Sequence, residues 1–175
     1  METNPAEQEN QNRKKRWFTP AIFGSNPRIT LLRLTFFLLS ATLFFQFILK
    51  PIKITGASMS PTYSDGEYNL VNRMAYWNSA PTRGDVVATV VPRDILIKRI
   101  IAVPGEKVAI VGGQVMINGQ PLSETYVRFR RSWYVQATNL PPDFYLIIGD
   151  NRGMAQHDHA FGLAHRRQIL GKLSL

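Results

Sequence analysis

The sequence predicts a mainly β, antiparallel domain preceded by one N-terminal transmembrane helix. Two observations carry this expectation. One predominantly apolar stretch lies at 31–49, and behind it short runs rich in Val and Ile alternate with turn residues at strand spacing. A third agrees with them: Pro61, Pro81, Pro92, Pro104, Pro121, Pro141 and Pro142 fall between these runs or at their edges, where a missing N–H does least harm. A chain of 175 residues has room for about one domain and an anchor.

Residues 1–30 are rich in Asn, Gln and charge, lack the apolar surface that offsets ordering entropy, and read as a disordered basic tail. The stretch 31–49, LLRLTFFLLSATLFFQFIL, would span about 28 Å as a helix, close to the hydrocarbon thickness of a bilayer. Arg33 can snorkel to the headgroups, and Ser40, Thr42 and Gln46 are tolerable polar insertions. The run Arg13-Lys14-Lys15-Arg16, with Arg28 and Arg33, lies on the N-terminal side, so that side is expected in the cytoplasm and residues 50–175 outside. A buried core helix and a cleaved signal peptide, with Thr55-Gly56-Ala57 as its cleavage site, are the competing readings. The long polar stretch before the apolar run argues against the second.

In the outer domain the expected strands are Tyr68–Val71, Asp85–Val91, Ile95–Val103, Lys107–Val111, Val115–Ile117 and Phe144–Ile148. Gly112-Gly113 and Asn118-Gly119 sit between such runs and suit tight hairpins. The net charge of +9 is scattered and forms no groove-binding motif, which favours anionic lipid over nucleic acid as a partner. The absence of cysteine excludes disulfides and thiolate zinc sites. No nucleotide loop or cofactor fingerprint is legible, so no cofactor and no metal are expected.

Two segments could carry chemistry. Ser58 lies in Gly56-Ala57-Ser58-Met59-Ser60-Pro61-Thr62, shortly after the apolar run; a serine in a Gly/Pro-bounded turn is commonly a backbone cap. Lys98 lies in Ile95-Leu96-Ile97-Lys98-Arg99-Ile100-Ile101, where alternation puts Lys98 and Arg99 on opposite faces, so that at least one cation sits among aliphatic neighbours. An edge-strand lysine that blocks aggregation is the plain alternative. A buried lysine loses part of its affinity for the proton, and the resulting free amine can activate a serine.

The order of these segments is more specific than either alone. Ser58-Met-Ser-Pro-Thr62, Arg83-Gly84-Asp85, Lys98-Arg99 with Pro104-Gly105-Glu106, and Gly149-Asp150-Asn151-Arg152 together resemble the ordered sequence boxes of type I signal peptidases, over about residues 31–175. The resemblance implies an antiparallel β peptidase domain in which Ser58 attacks the scissile carbonyl and Lys98 is the general base. It also implies that Ile52, Ile54, Met59, Leu96 and Ile97 line apolar pockets for the substrate, and that Arg99, Asp150, Asn151 and Arg152 support the site. The Ser58 N–H would donate to the oxyanion. The resemblance implies preprotein signal peptides as partners; the apolar run adds the lipid bilayer, and a bacterial plasma membrane is the expected location. Oligomeric state stays open.

One loop departs from the family pattern. With Gly149 and Gly162 aligned, the serine that often orients the lysine becomes Ala155 and a later aspartate falls on His157, with Asp158 one residue off register. Position 56, which carries a hydroxyl donor in many members, is Gly. The run His157-Asp158-His159 admits two further readings: a metal site with His165, or a Ser58–His157–Asp158 triad. A peptidase specialised for one exported substrate and a tethered, inactive binding module are the alternative functions; retention of Ser58 and Lys98 argues against the latter.

Overall fold

A computed structural model describes residues 26–92, 94–159 and 161–174, so most of the predicted tail, with its basic run Arg13-Lys14-Lys15-Arg16, lies outside the described residues. The chain forms two units, Met1–Phe44 and Phe45–Leu175. The described part of the first is helical. Helix α1, Pro27–Phe47, starts with a proline, whose missing N–H would be unpaired in a first turn anyway, and the Asn26 side chain accepts the Arg28 N–H at 3.1 Å.

None of the α1 residues is buried, and its length and apolar character suffice to cross a membrane, so the buried core-helix reading fails. Thr35 and Thr42 donate their hydroxyls to the carbonyls of Leu31 and Leu38, at 2.9 and 2.8 Å, which satisfies both within the helix. The helix begins four residues earlier than the predicted 31–49 stretch and ends two residues sooner. Leu49 instead opens a strand, because Pro51 bars a helical continuation and disfavours helical geometry at Lys50.

The second unit is antiparallel throughout. Its strands are β1 (Leu49–Lys53), β2 (Tyr68–Asn72), β3 (Val86–Val91), β4 (Asp94–Ala102), β5 (Lys107–Val111), β6 (Gln114–Ile117), β7 (Gln120–Pro121), β8 (Val135–Asn139), β9 (Phe144–Ile148), β10 (Gly162–His165) and β11 (Ile169–Leu173). They form a seven-stranded sheet ordered β1-β2-β11-β3-β4-β9-β10 and a four-stranded sheet ordered β7-β6-β5-β8. Each of the six strands expected from sequence is present to within a residue at either end. The two hairpin turns are also as expected: Gly112 and Gly113 have φ of 58° and 84°, and Asn118 and Gly119 have φ of 51° and 82°, the paired positive angles of two-residue hairpins.

Alternation along β3 divides its side chains between two cores. Val86 and Ala88 pack with Ile54, Met59, Tyr63, Ile97 and Leu173, while Val87 packs with Ile100, Tyr145 and Ile147. Burial on both faces explains why β3 and β4 read as continuous apolar runs. One feature of β4 positions the site. It pairs with β3 along Asp94–Arg99, but β9 joins its other side only from Arg99 onward, which leaves that edge of Asp94–Lys98 without a strand partner among the described residues.

Candidate active site

The turn after β1 brings Ser58, half-buried, against the middle of β4, where Lys98 is 2 % exposed. The Lys98 Nζ donates to Ser58 Oγ at 2.6 Å across forty residues of sequence. Burial pushes the Lys98 pKa down from 10.5 to about 8, against the opposing pull of the nearby Asp150 charge. At neutral pH about a tenth of such lysines are free amine, against about 0.04 % for an unperturbed one. The pair therefore has what nucleophile activation requires: a hydroxyl within hydrogen-bond reach of a base with a lowered pKa.

The next residue, Arg99, points to the opposite face and is also buried. Its Nε and Nη2 fork onto the two carboxylate oxygens of Asp150 at 2.9 and 2.6 Å, and its Nη1 donates to the Gly84 carbonyl at 2.7 Å. The guanidinium also stacks 4.2 Å from the centre of the Tyr126 ring, and Thr62 donates its hydroxyl to Asp150 at 2.5 Å. Asn151 clamps the Ser58 turn from behind: its N–H donates to the Ser58 carbonyl at 3.0 Å, and its Nδ2 to the Ala57 carbonyl at 2.9 Å. Arg152 Nε holds the Gly149 carbonyl at 3.0 Å, and its Nη2 pairs with Glu124 at 2.5 Å. All four residues expected to support the site thus contact the Ser58 turn, the Lys98 strand or the Gly149 backbone. Glu124 and Tyr126 carry no sequence signal, since the Ser123-Glu124-Thr125 text holds no motif that would mark a buried carboxylate, and Thr62 stands in the Ser58 box without an assigned role.

The departing loop is supported by its last histidine. Ala155 precedes a 3-10 turn, Gln156–Asp158, in which the His157 and Asp158 side chains are 82 % and 63 % exposed. His157 faces solvent while Ser58 is engaged by Lys98, so the Ser58–His157–Asp158 triad is corrected. The metal reading fails too. Among the described residues no cluster of His, Asp or Glu is arranged to hold an ion, and the Nε2 of His159 and the Nδ1 of His165 already accept backbone N–H groups. His159 itself is buried, edge-on to Trp133 with ring centres 5.0 Å apart, and accepts the Gly149 N–H at 2.9 Å. A Cβ on Gly149 would collide with both the Ser58 carbonyl oxygen and this ring, so only glycine permits that packing.

Burial, followed by the nearby charges of Lys98 and Arg152, lowers the His159 pKa from 6.5 to about 4. The sign of the pH effect follows. The unfolded chain takes up this proton as pH falls through 6.5, whereas the folded chain resists it to about 4, so stability declines across that interval. His159→Gln, whose amide can still accept the Gly149 N–H, should flatten this decline in denaturant midpoints measured from pH 7 to 4. An unchanged acid slope in His159→Gln would locate its origin elsewhere.

A groove of about 280 Å³ runs beside the pair, lined by Ile52, Ile54, Thr55, Met59, Asp94, Leu96 and Ile97 together with Ser58 and Lys98. It contains all five residues expected to contact substrate. Three of them, Ile54, Met59 and Ile97, are also buried in the core beneath, so they serve packing and groove alike. The Gly56 N–H is donated to Asp65 Oδ1 at 2.7 Å, whereas the Ser58 N–H meets no acceptor among the described residues.

A serine hydroxyl beside a buried amine is an arrangement that can activate a nucleophile. Residues 28–175 match the family model described as "Signal peptidase, peptidase S26", and the chain belongs to that family. It is 33 % identical over 137 residues to the signal peptidase I of Leptolyngbya laminosa, covering 72 % of this chain and 67 % of that one. It is 33 % identical over 148 residues to signal peptidase IB of Staphylococcus aureus, covering 74 % and 78 %. A crystal structure of a signal peptidase I from Enterococcus faecalis V583 aligns with a TM-score of 0.46 at 27 % identity, covering 55 % of this chain and 98 % of that one.

Proposed function

We propose that this chain is a membrane-anchored signal peptidase that cleaves signal peptides from exported preproteins, with Ser58 as nucleophile and Lys98 as general base. The observation that carries the reading is the 2.6 Å contact between Lys98 Nζ and Ser58 Oγ, made by a lysine whose burial favours the free amine. Lys98 accepts the Ser58 proton as Oγ bonds to the scissile carbonyl carbon. The Ser58 N–H stabilises the resulting oxyanion. When the C–N bond breaks, the Lys98 ammonium returns the proton to the departing amine. Lys98 then takes a proton from water as its oxygen attacks the acyl ester, and when the acyl C–Oγ bond breaks the Lys98 ammonium returns that proton to Ser58 Oγ.

Substrate would bind as an added strand on the free edge of β4 at Asp94–Ile97, its small side chains entering the groove lined by Ile52, Ile54, Met59, Leu96 and Ile97. Arg99, Asp150, Asn151 and Arg152 hold the turn and the lysine strand in register. The tail at 1–30 would be cytoplasmic, 31–49 would supply the anchor, with α1 as its helix, and 50–175 would be the external catalytic domain, in a bacterial plasma membrane. The basic residues before and at the start of α1 favour that orientation.

The test is incubation of the detergent-solubilised chain with a preprotein, with the products read by mass spectrometry. A single cut after small residues at the end of the signal peptide is expected, and an intact preprotein at every pH would overturn the activity. For orientation, cysteines introduced near Glu7 and near Lys107 should be labelled by an impermeant reagent on intact cells only at the second site.

A further inference from the structure

A second cavity, of about 240 Å³, lies against the turn that carries Ser58 and is lined by Ser60, Pro61, Asp150, Asn151, Arg128 and Phe129. It shares no lining residue with the first groove. Ser58 and Met59 border the first, Ser60 and Pro61 the second, so the turn itself separates them. With Ser58 as nucleophile, the residues before the cut occupy the first groove. The residues after the cut must then leave on the other flank, where an extended chain advances about 3.3 Å per residue.

The chemistry of this second cavity is cationic. Asp150 is already paired with the Arg99 fork and accepts the Thr62 hydroxyl, and the Asn151 amide is committed to the Ala57 carbonyl. Arg130 is held by Glu124 at 3.6 Å. Arg128, in contrast, is exposed and makes no hydrogen bond or ion pair among the described residues, and beside it Phe129 is 78 % exposed. A free guanidinium next to an open aromatic face suits a carboxylate on a short apolar stem.

We propose that this cavity is the binding site for the start of the mature chain, and that Arg128 with Phe129 selects an acidic side chain within the first three residues after the cut. The proposal rests on Ser58 being the nucleophile. Anionic lipid headgroups could satisfy the same arginine, but the cavity's walls include the Ser58 turn and Asn151, which favours the substrate.

The test uses the full chain in an uncharged detergent and three otherwise identical signal-sequence peptides with Glu, Gln or Lys at the second residue after the cut. The wild-type kcat/KM should favour Glu over Lys by about fivefold to tenfold, the scale of one accessible charge pair gained and one repulsion avoided, and 0.5 M salt should erode the ratio. In Arg128→Glu the ratio should fall to about one or invert. The same ordering should appear, without turnover, in the binding of the labelled peptides to Ser58→Ala and to Ser58→Ala/Arg128→Glu.

Cleavage with an equal Glu/Lys ratio in wild type and Arg128→Glu would overturn the subsite and leave the peptidase reading standing. An effect of Arg128→Glu seen only when anionic lipid is added would overturn it in favour of a headgroup. Absence of both cleavage and binding would overturn the peptidase reading and the subsite with it.

Discussion

Lys98→Ala should lower kcat by on the order of 10⁴-fold or more, the loss typical of removing the base from a serine-nucleophile pair, and Ser58→Ala should do the same. Lys98→Arg should fail equally, because a guanidinium stays protonated and cannot accept the Ser58 proton. Lys98→Met separates chemistry from folding. With its pKa lowered from 10.5 to about 8, Lys98 binds its proton less tightly in the folded chain, so below pH 8 it costs the fold about 3 kcal/mol. That cost fades as pH rises from about 8 to 10.5, because only the unfolded chain then keeps the proton. Lys98→Met should therefore be inactive yet at least as stable as wild type at pH 7 in denaturant titrations. The wild-type pH–rate profile should rise on an alkaline limb with a midpoint near 8, and a limb near 6.5 would point to a histidine instead. An active Lys98→Met would end the dyad assignment.

The parts of the fold legible in the sequence were those where local pattern and tertiary environment agree. β3, β4 and β9 are buried runs of aliphatic residues, and Gly112-Gly113 and Asn118-Gly119 fix two hairpins by backbone conformation alone. The strands missed are those whose β character comes from their neighbours, among them β7, two residues ending on Pro121 that pair only with β6. β1 carries Pro51 and two lysines and pairs only with β2; β8 is Val-Gln-Ala-Thr-Asn at the edge of the small sheet; β10 opens on Gly162 at the edge of the large one. β11 lies inside the large sheet, but Gly171 interrupts its pattern, because a Cβ there would strike the Asn72 backbone.

The site divides in the same way. Ser58, Lys98 and the Gly149–Arg152 box could be located because each sits in a short motif. Glu124 and His159 could not, since their roles exist only through long-range contacts: one neutralises Arg152, the other holds Gly149 from a loop with no strand or helix periodicity. Neither residue hydrogen-bonds Lys98, the side chain that the serine replaced by Ala155 often orients. Glu124 supplies a buried carboxylate to Arg152 from a different part of the chain, and His159, two positions beyond the residue aligned with the aspartate, fills the space beside Gly149.

Asp150→Asn should produce the largest loss of stability of any single change at the site, about 3–5 kcal/mol, because it strips the partner from a buried guanidinium. Asp150 is 1 % exposed and Arg99 is 7 % exposed, so water cannot replace the lost charge. The amide can still accept one hydrogen bond from Arg99, but it cannot provide the charged two-oxygen fork. A general loosening would explain lower stability equally well, so a second readout is needed. Asp150 is the charge that holds the Lys98 pKa up against burial. Once it is neutralised, burial acts unopposed, so the Lys98 pKa must fall further. The alkaline limb of the pH–rate profile should therefore move to lower pH in Asp150→Asn, measured under conditions where the variant is still folded, while maximal kcat drops as the turn loses its anchorage. A destabilised variant with an unmoved limb would make Asp150 a purely structural partner of Arg99. A limb displaced to higher pH would contradict the electrostatic account of Lys98 itself.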